Sequence, residues 1–215
     1  CLVGSEMCIR DRNNVLTDFL STGTYTAKRE FYKTTSPSMD ILVSSNLERL
    51  LYHVTGSDAE VAGLMKSLNE TGSYTVRPET LKAIQESFDC GWSSEEQVAG
   101  EIRARYEKDG YLCDTHTAVA FHVAAQKKRD GVPMVVLSTA SPFKFPRSVL
   151  EALGHTAPEN DFEAMQALEE ATGRTAPASL AVLRQKAERF STVIDPAQIA
   201  EVALSCQARR KPEQE

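Results

Sequence analysis

Apolar positions along the chain fall mainly on helical spacing, and polar residues punctuate them at the places where helices begin and end. Val61, Leu64, Met65 and Leu68 recur at i, i+3, i+4 and i+7 behind Ser57-x-x-Glu60, which predicts one helix with a capping box. Val98, Ile102 and Tyr106 form a second stripe behind Ser93-x-x-Glu96, and Gly110 supplies its stop. Further helices are predicted over 46–54, 79–88 and 115–129, the last capped by Asp114 and closed by Gly131. Beyond it, 146–153, 161–172, 178–190 and 196–206 read as four more, with Asp195-Pro196 as N-cap and first-turn proline. The clearest strand is 133–138, a short β-branched run between Gly-Val-Pro and Thr-Ala-Ser-Pro, expected to be buried. The tail 207–215 is polar and expected to fray.

Many helices around so few strands define an α/β class with an anomaly. A parallel sheet needs several strands to be covered on both faces, so the rest of the sheet is expected to lie outside this sequence. The 215 residues, 41% hydrophobic, suffice for a genuine core and exclude a disordered tract or a disulfide-stapled miniprotein. A net charge of −6 without a dense basic stripe argues against nucleic acid or an anionic membrane as partner. No apolar run approaches the roughly 18–20 residues that span a bilayer. Cys1, Cys8, Cys90, Cys113 and Cys206 are scattered without metal-ligand spacing, which suits free thiols in a reducing cytoplasm and predicts no metal site.

The first twelve residues differ from the rest. Residues 1–12 begin without Met and lack the pattern of a signal peptide, so they read as foreign, adapter-derived sequence and are set aside from the fold. The homologous chain is then expected to run from Asn13 to Cys206, with 207–215 as the tail.

Searches for general catalytic motifs find no nucleophile elbow, phosphate-binding loop, dinucleotide fingerprint or zinc-protease helix. Of His53, His116, His122 and His155, His122 shares a predicted helix with Ala118 and Phe121 and reads as a structural imidazole. Three segments carry more. Hydroxyls crowd 34–46, where Ser36, Ser38 and Asp40 suit either turn formation or a substrate loop, and Ser45 or Asn46 suits a helix cap. Asp114-Thr-His-Thr-Ala118 opens a helix whose free N–H groups could receive an anion, although Asp114 as N-cap already fills part of that place. Thr139 follows the predicted strand at its carboxyl end, where ligands of open α/β sheets collect.

Taken together, these segments resemble threonine synthase, a pyridoxal-phosphate enzyme. Asn13-Asn14-Val-Leu-Thr-Asp-Phe-Leu-Ser-Thr-Gly-Thr-Tyr25 is similar to the family's Asn-Asn/Asp-x-Leu-x-x-Phe-x-x-Thr-Gly-x-Tyr stretch. Ser36-Pro-Ser-Met-Asp-Ile41 with Ser45-Asn-Leu-Glu-Arg-Leu-Leu51 resembles its strongest signature. Asp114-Thr-His-Thr-Ala118 and Ser138-Thr-Ala-Ser-Pro-Phe-Lys-Phe145 resemble two more, with Thr115 and Ser141 departing from the family's usual Pro and His.

The resemblance implies the incomplete C-terminal half of a two-domain, tryptophan-synthase-β-like (fold type II) enzyme. It implies pyridoxal 5'-phosphate as cofactor and O-phosphohomoserine as substrate, converted with water to L-threonine and phosphate by β,γ-replacement. Thr139 is the implied partner of the cofactor's ring nitrogen. Asn13, Asn14, Ser36, Asp40, Asn46 and Arg49 are implied substrate-loop candidates. The family's Ser-x-Lys-Asp segment, which carries the Schiff-base lysine, has no match here. No catalytic residue is therefore assigned, Lys144 is read as structural, and the chain alone is expected to be inactive. The alternatives are a serine/threonine dehydratase-like relative and a non-catalytic binding module of the same fold.

Overall fold

A computed structural model describes residues 6–187, 189 and 191–208. The chain divides into one unit ending at Ala181 and another beginning at Val182.

The first unit opens with β1 (Glu6–Arg10), α1 (Val15–Thr22) and β2 (Thr24–Thr26). A 3-10 turn at Pro37–Met39 leads to α2 (Ser45–Thr55) and α3 (Asp58–Thr71). Then come β3 (Ser73–Thr75), α4 (Pro78–Ser87), β4 (Phe88–Trp92) and α5 (Glu95–Asp109). It closes with α6 (Thr115–Lys127), a 3-10 turn at Pro142–Lys144, α7 (Pro146–Ala152), α8 (Asp161–Thr172) and α9 (Ala178–Ala181).

Two short sheets result. β1 runs parallel to β4 with Cys8 opposite Cys90, and β2 pairs antiparallel with β3 with Tyr25 opposite Tyr74. Successive strand residues face opposite ways, and β1 uses this to join two cores. Cys8 packs on a cluster of Phe19, Leu51, Tyr74 and Ile84, whereas Ile9 packs on a cluster of Ile102, Val119, Leu150 and Leu168. Residues 6–12, set aside in reading the sequence, thus supply a strand and the buried side chains of Arg10 and Asp11. Residues 1–5 lie outside the described residues.

The second unit contains a 3-10 turn at Val182–Gln185 and another at Pro196–Gln198 that continues into α10 (Ile199–Ala208). Asp195 is its N-cap residue, and the Asp195 backbone N–H donates to Gln198 Oε1 at 3.0 Å. Residues 207 and 208 complete α10, and the rest of the expected tail lies outside the described residues.

The predicted helices are present, but the one expected over 115–129 ends at Lys127 without closure by Gly131, and four further expectations are corrected. The stripe behind Ser93 starts one residue later: the Ser93 N–H donates to Arg10 O and keeps the chain extended, so Ser94 caps α5 with Gln97 closing the box. Ser57 accepts from the Glu60 N–H, but the Glu60 carboxylate turns to Arg77 at 2.7 Å and leaves the box half made. Helix 178–190 shortens to α9 and a 3-10 turn. Segment 133–138 is neither strand nor buried: Val135 is 77% and Leu137 73% exposed. Its β-branched residues favour an extended chain, but a strand is stabilised by neighbours, and each described sheet already ends at two strands elsewhere.

Candidate active site

The polar residues of β1 and the turn after it fold onto the hydroxyl-rich segment that precedes α2. Asn13 is the centre. Its Nδ2 donates to Asp40 Oδ1 at 2.9 Å and to Tyr32 O at 2.8 Å, while its Oδ1 accepts from the Tyr32 N–H at 2.9 Å. Asp11 is fully buried beside it and accepts from the Asn13 N–H at 2.8 Å. The Thr34 hydroxyl lies 2.8 Å from both Asp11 Oδ2 and Asp40 Oδ1, and the Thr34 N–H donates to Asp40 Oδ2 at 2.9 Å. Burial and the adjacent Asp40 carboxyl push Asp11 above the ordinary carboxylate range. One buried cation stands by: the Arg10 guanidinium donates to the carbonyls of Asn13, Met39 and Ile41.

This network holds the turn 36–40 from one side. From the other, the Thr35 N–H donates to Glu95 Oε2 at 2.9 Å, and the Ser38 N–H donates to His116 Nε2 at 3.2 Å. Ser36 is completely buried, and its hydroxyl has no hydrogen-bond partner among the described residues. A buried hydroxyl left so costs about 1–3 kcal/mol, a state Ser36 shares with Ser93 Oγ and Glu95 Oε1 among the described residues.

Asp114 caps α6, as its position predicts, accepting from the N–H groups of His116 at 2.9 Å and Thr117 at 3.3 Å. Burial pushes its carboxyl up, but the hydrogen bonds from His116 and Thr117 outweigh burial and hold it below the usual range. The same environment pushes the neighbouring Cys113 thiol up to about 12, through burial first and the Asp114 charge second. The Thr117 hydroxyl bonds to Asp114 and reaches Ser138 Oγ at 3.5 Å, and the next residue, Thr139, is exposed.

The other candidates are not gathered here. Asn14 accepts from Arg29 Nη1 at 3.0 Å in an adjoining pocket, where Arg12 stacks over Tyr32 at 3.7 Å. Asn46 and Arg49 are exposed on the first turns of α2, joined by an Arg49 Nη2 to Asn46 Oδ1 bond of 2.5 Å. Ser44, the N-cap of α2, makes no side-chain cap there. Of the residues expected from the sequence, Asn13, Ser36 and Asp40 lie in or beside this network, together with Arg10, Asp11, Thr34 and His116, which were not among the candidates. Thr34 lay in the hydroxyl run and His116 in the Asp114 motif, whereas Arg10 and Asp11 were lost with the segment set aside. Among the described residues no cluster of three His, Cys, Asp or Glu could hold a metal, and no helix is long and apolar enough to cross a membrane.

Residues 117–203 match a family model described as threonine synthase, C-terminal. The chain is 37% identical over 150 residues to threonine synthase from Methylobacillus glycogenes, covering 67% of this chain and 32% of that one. Over 149 residues it is 36% identical to human threonine synthase-like 1, covering 68% of this chain and 20% of that protein. A crystal structure of pyridoxal-phosphate-bound threonine synthase from Brucella melitensis superposes with a TM-score of 0.79 at 36% identity, covering 96% of this chain and 41% of that one. The fold is therefore helix-rich α/β of the fold type II pyridoxal-phosphate class, and the chain covers part of the length of those enzymes. Within that class the chain belongs to the threonine synthase family and corresponds to its C-terminal portion. It spans about a fifth to a third of the curated relatives it matches.

Proposed function

We propose that this chain forms one wall of a threonine synthase active site, where O-phosphohomoserine and water become L-threonine and phosphate. The observation that carries the reading is the turn 36–40, fixed by Asn13 and His116 around the unpartnered Ser36 hydroxyl. Asn46 and Arg49 take the substrate phosphate at the start of α2, where N–H groups without a side-chain cap and an exposed guanidinium suit an anion. Asp40, already committed to Asn13 and Thr34, braces the turn rather than receiving the anion, which its charge would repel. Asn14, tied to Arg29, serves the scaffold.

The residues present suit one end of pyridoxal phosphate. Thr139 is exposed beside the Thr117 to Ser138 contact, and its neutral hydroxyl would meet the ring nitrogen without forcing a proton onto it. When bound, the cofactor supplies an electron sink for carbanion chemistry. No described lysine is buried, and the least exposed, Lys127, is engaged by Asp89 at 2.8 Å, so none among the described residues suits a covalent anchor. The chain's part is to bind and orient substrate and to exclude water on one side. A reducing cytoplasmic setting belongs to the reading and is supported by the free thiols of Cys8, Cys90 and Cys113.

The test is amide NMR of the purified chain titrated with O-phosphohomoserine, followed by a phosphate-release assay with added pyridoxal phosphate. Shifts over residues 36–49 with no turnover are expected. Unmoved amides would remove the substrate assignment, and turnover would overturn the expected inactivity.

A further inference from the structure

His116 is the one buried histidine of the site, and its hydrogen bonds assign its protonation. Nδ1 lies 3.2 Å from Asp114 Oδ1, a carboxylate oxygen that can only accept, and 3.3 Å from the Thr115 hydroxyl, which can do either, so it carries the proton. Nε2 lies 3.2 Å from the Ser38 N–H, a donor, so it carries the lone pair. The ring also packs on Phe145, with centroids 4.8 Å apart, which fixes its plane. We infer that His116, as the neutral Nδ1–H imidazole oriented by Asp114, is a positioning residue that latches the 36–40 turn onto α6.

The geometry gives this latch a specific task. Ser38 sits in the first turn of a 3-10 helix, where the N–H has no acceptor within the helix. Arg10 fixes the far end of the same turn through Met39 O and Ile41 O, and Glu95 fixes the start through the Thr35 N–H. His116 supplies the middle attachment, and the buried Ser36 hydroxyl lies between the attachments made by Glu95 and His116. A loop that gives up its hydration only to be held at three points is preorganised for a ligand rather than shaped by it. The inference rests on the reading of 36–40 as a substrate loop, yet the latch itself is testable without substrate.

The experiment compares His116→Gln with His116→Asn in the full chain. Glutamine places a carbonyl oxygen near the position of Nε2, whereas asparagine reaches only as far as Nδ1. Amide exchange at Ser38 is expected to accelerate about tenfold in His116→Asn and to stay near wild type in His116→Gln, with Ile84 in the other hydrophobic cluster as internal reference. A ring that merely fills space would be missed equally in both variants, so equal exchange overturns the latch. Should a variant fail to fold, the imidazole nitrogen shifts of the wild type decide: a protonated Nδ1 with unprotonated Nε2 is expected, and the reverse overturns the inference. O-phosphohomoserine, added to the same samples, separates the two claims. If Ser38 responds to the substitutions as expected but amides 36–49 ignore the ligand, the latch stands and the substrate reading fails.

Discussion

Asn13 and Asp40, 27 positions apart, meet through an Nδ2 to Oδ1 hydrogen bond of 2.9 Å and thereby tie the end of β1 to the turn before α2. Because both Asn13 side-chain atoms are used and the residue is 1% exposed, nothing smaller can satisfy the groups around it. Asn13→Ala is expected to cost about 2–4 kcal/mol, measured by urea unfolding, since it orphans the Tyr32 backbone and one donor to Asp40. A loss under about 0.5 kcal/mol would show that water replaces the amide.

Two buried aspartates should respond to pH with opposite sign. Asp114 lies below its ordinary value, so its stabilisation is present above the unfolded pKa, near about 4, and is lost as pH falls through the folded value. Asp11 lies above, so it favours the fold when protonated and penalises it as pH rises from about 4 through the folded value. In unfolding curves at successive pH values, Asp114→Asn should lose its deficit toward low pH. Asp11→Asn should gain on wild type as pH rises. Parallel curves for the two variants would contradict the assignment.

Gly91 on β4 faces Val123 of α6 so closely that an added Cβ would lie 2.5 Å from Val123 Cγ1. Val123 is fully buried and β-branched, so it has no easy rotamer to retreat to. Gly91→Ala should destabilise by about 1–3 kcal/mol in chemical denaturation. Gly63 in α3 meets nothing within 4 Å, and Gly63→Ala should instead stabilise by about 0.5–1 kcal/mol.

Arg49 is exposed and bonded only locally to Asn46, so Arg49→Ala should change stability by less than about 0.5 kcal/mol. The same change should abolish the amide shifts that O-phosphohomoserine produces over 45–49. Shifts retained in the variant would place the phosphate elsewhere.

Val135 and Leu137 point apolar surface outward from an extended segment, the kind of surface that recruits another chain. Val135→Lys combined with Leu137→Lys should raise the concentration at which the isolated chain stays monomeric in light scattering, without lowering its unfolding midpoint. A fall in midpoint would mean that these side chains are packed in solution.

How much of this was legible depends on the range of the interaction. Asp114 as a cap, Gly110 as a stop and the stripe of Val98 and Ile102 are decided within one or two helical turns, and all three stand in the structure. The cap at Ser94 was misplaced by one residue because the competing bond, Ser93 N–H to Arg10 O, crosses from a distant strand. The strand expected at 133–138 failed for the same reason, since β-branched residues announce a preference that only a neighbouring strand can satisfy.

The candidate site divides in the same way. Ser36, Asp40, Asn46, Arg49 and Thr139 stood out through motifs, which carry residue types and spacing. That Asn13 and Asp40 meet while Arg49 stands apart, that Thr34 lies between two carboxyls, and that His116 reaches Ser38 follow from packing of segments far apart in the chain. The sequence by itself determined most of the helices, the cap at Asp114 and the family, because local hydrogen bonding and side-chain order suffice for those. Only the tertiary structure decided which polar groups lose water together, and burial of that kind turns neighbouring residues into a site.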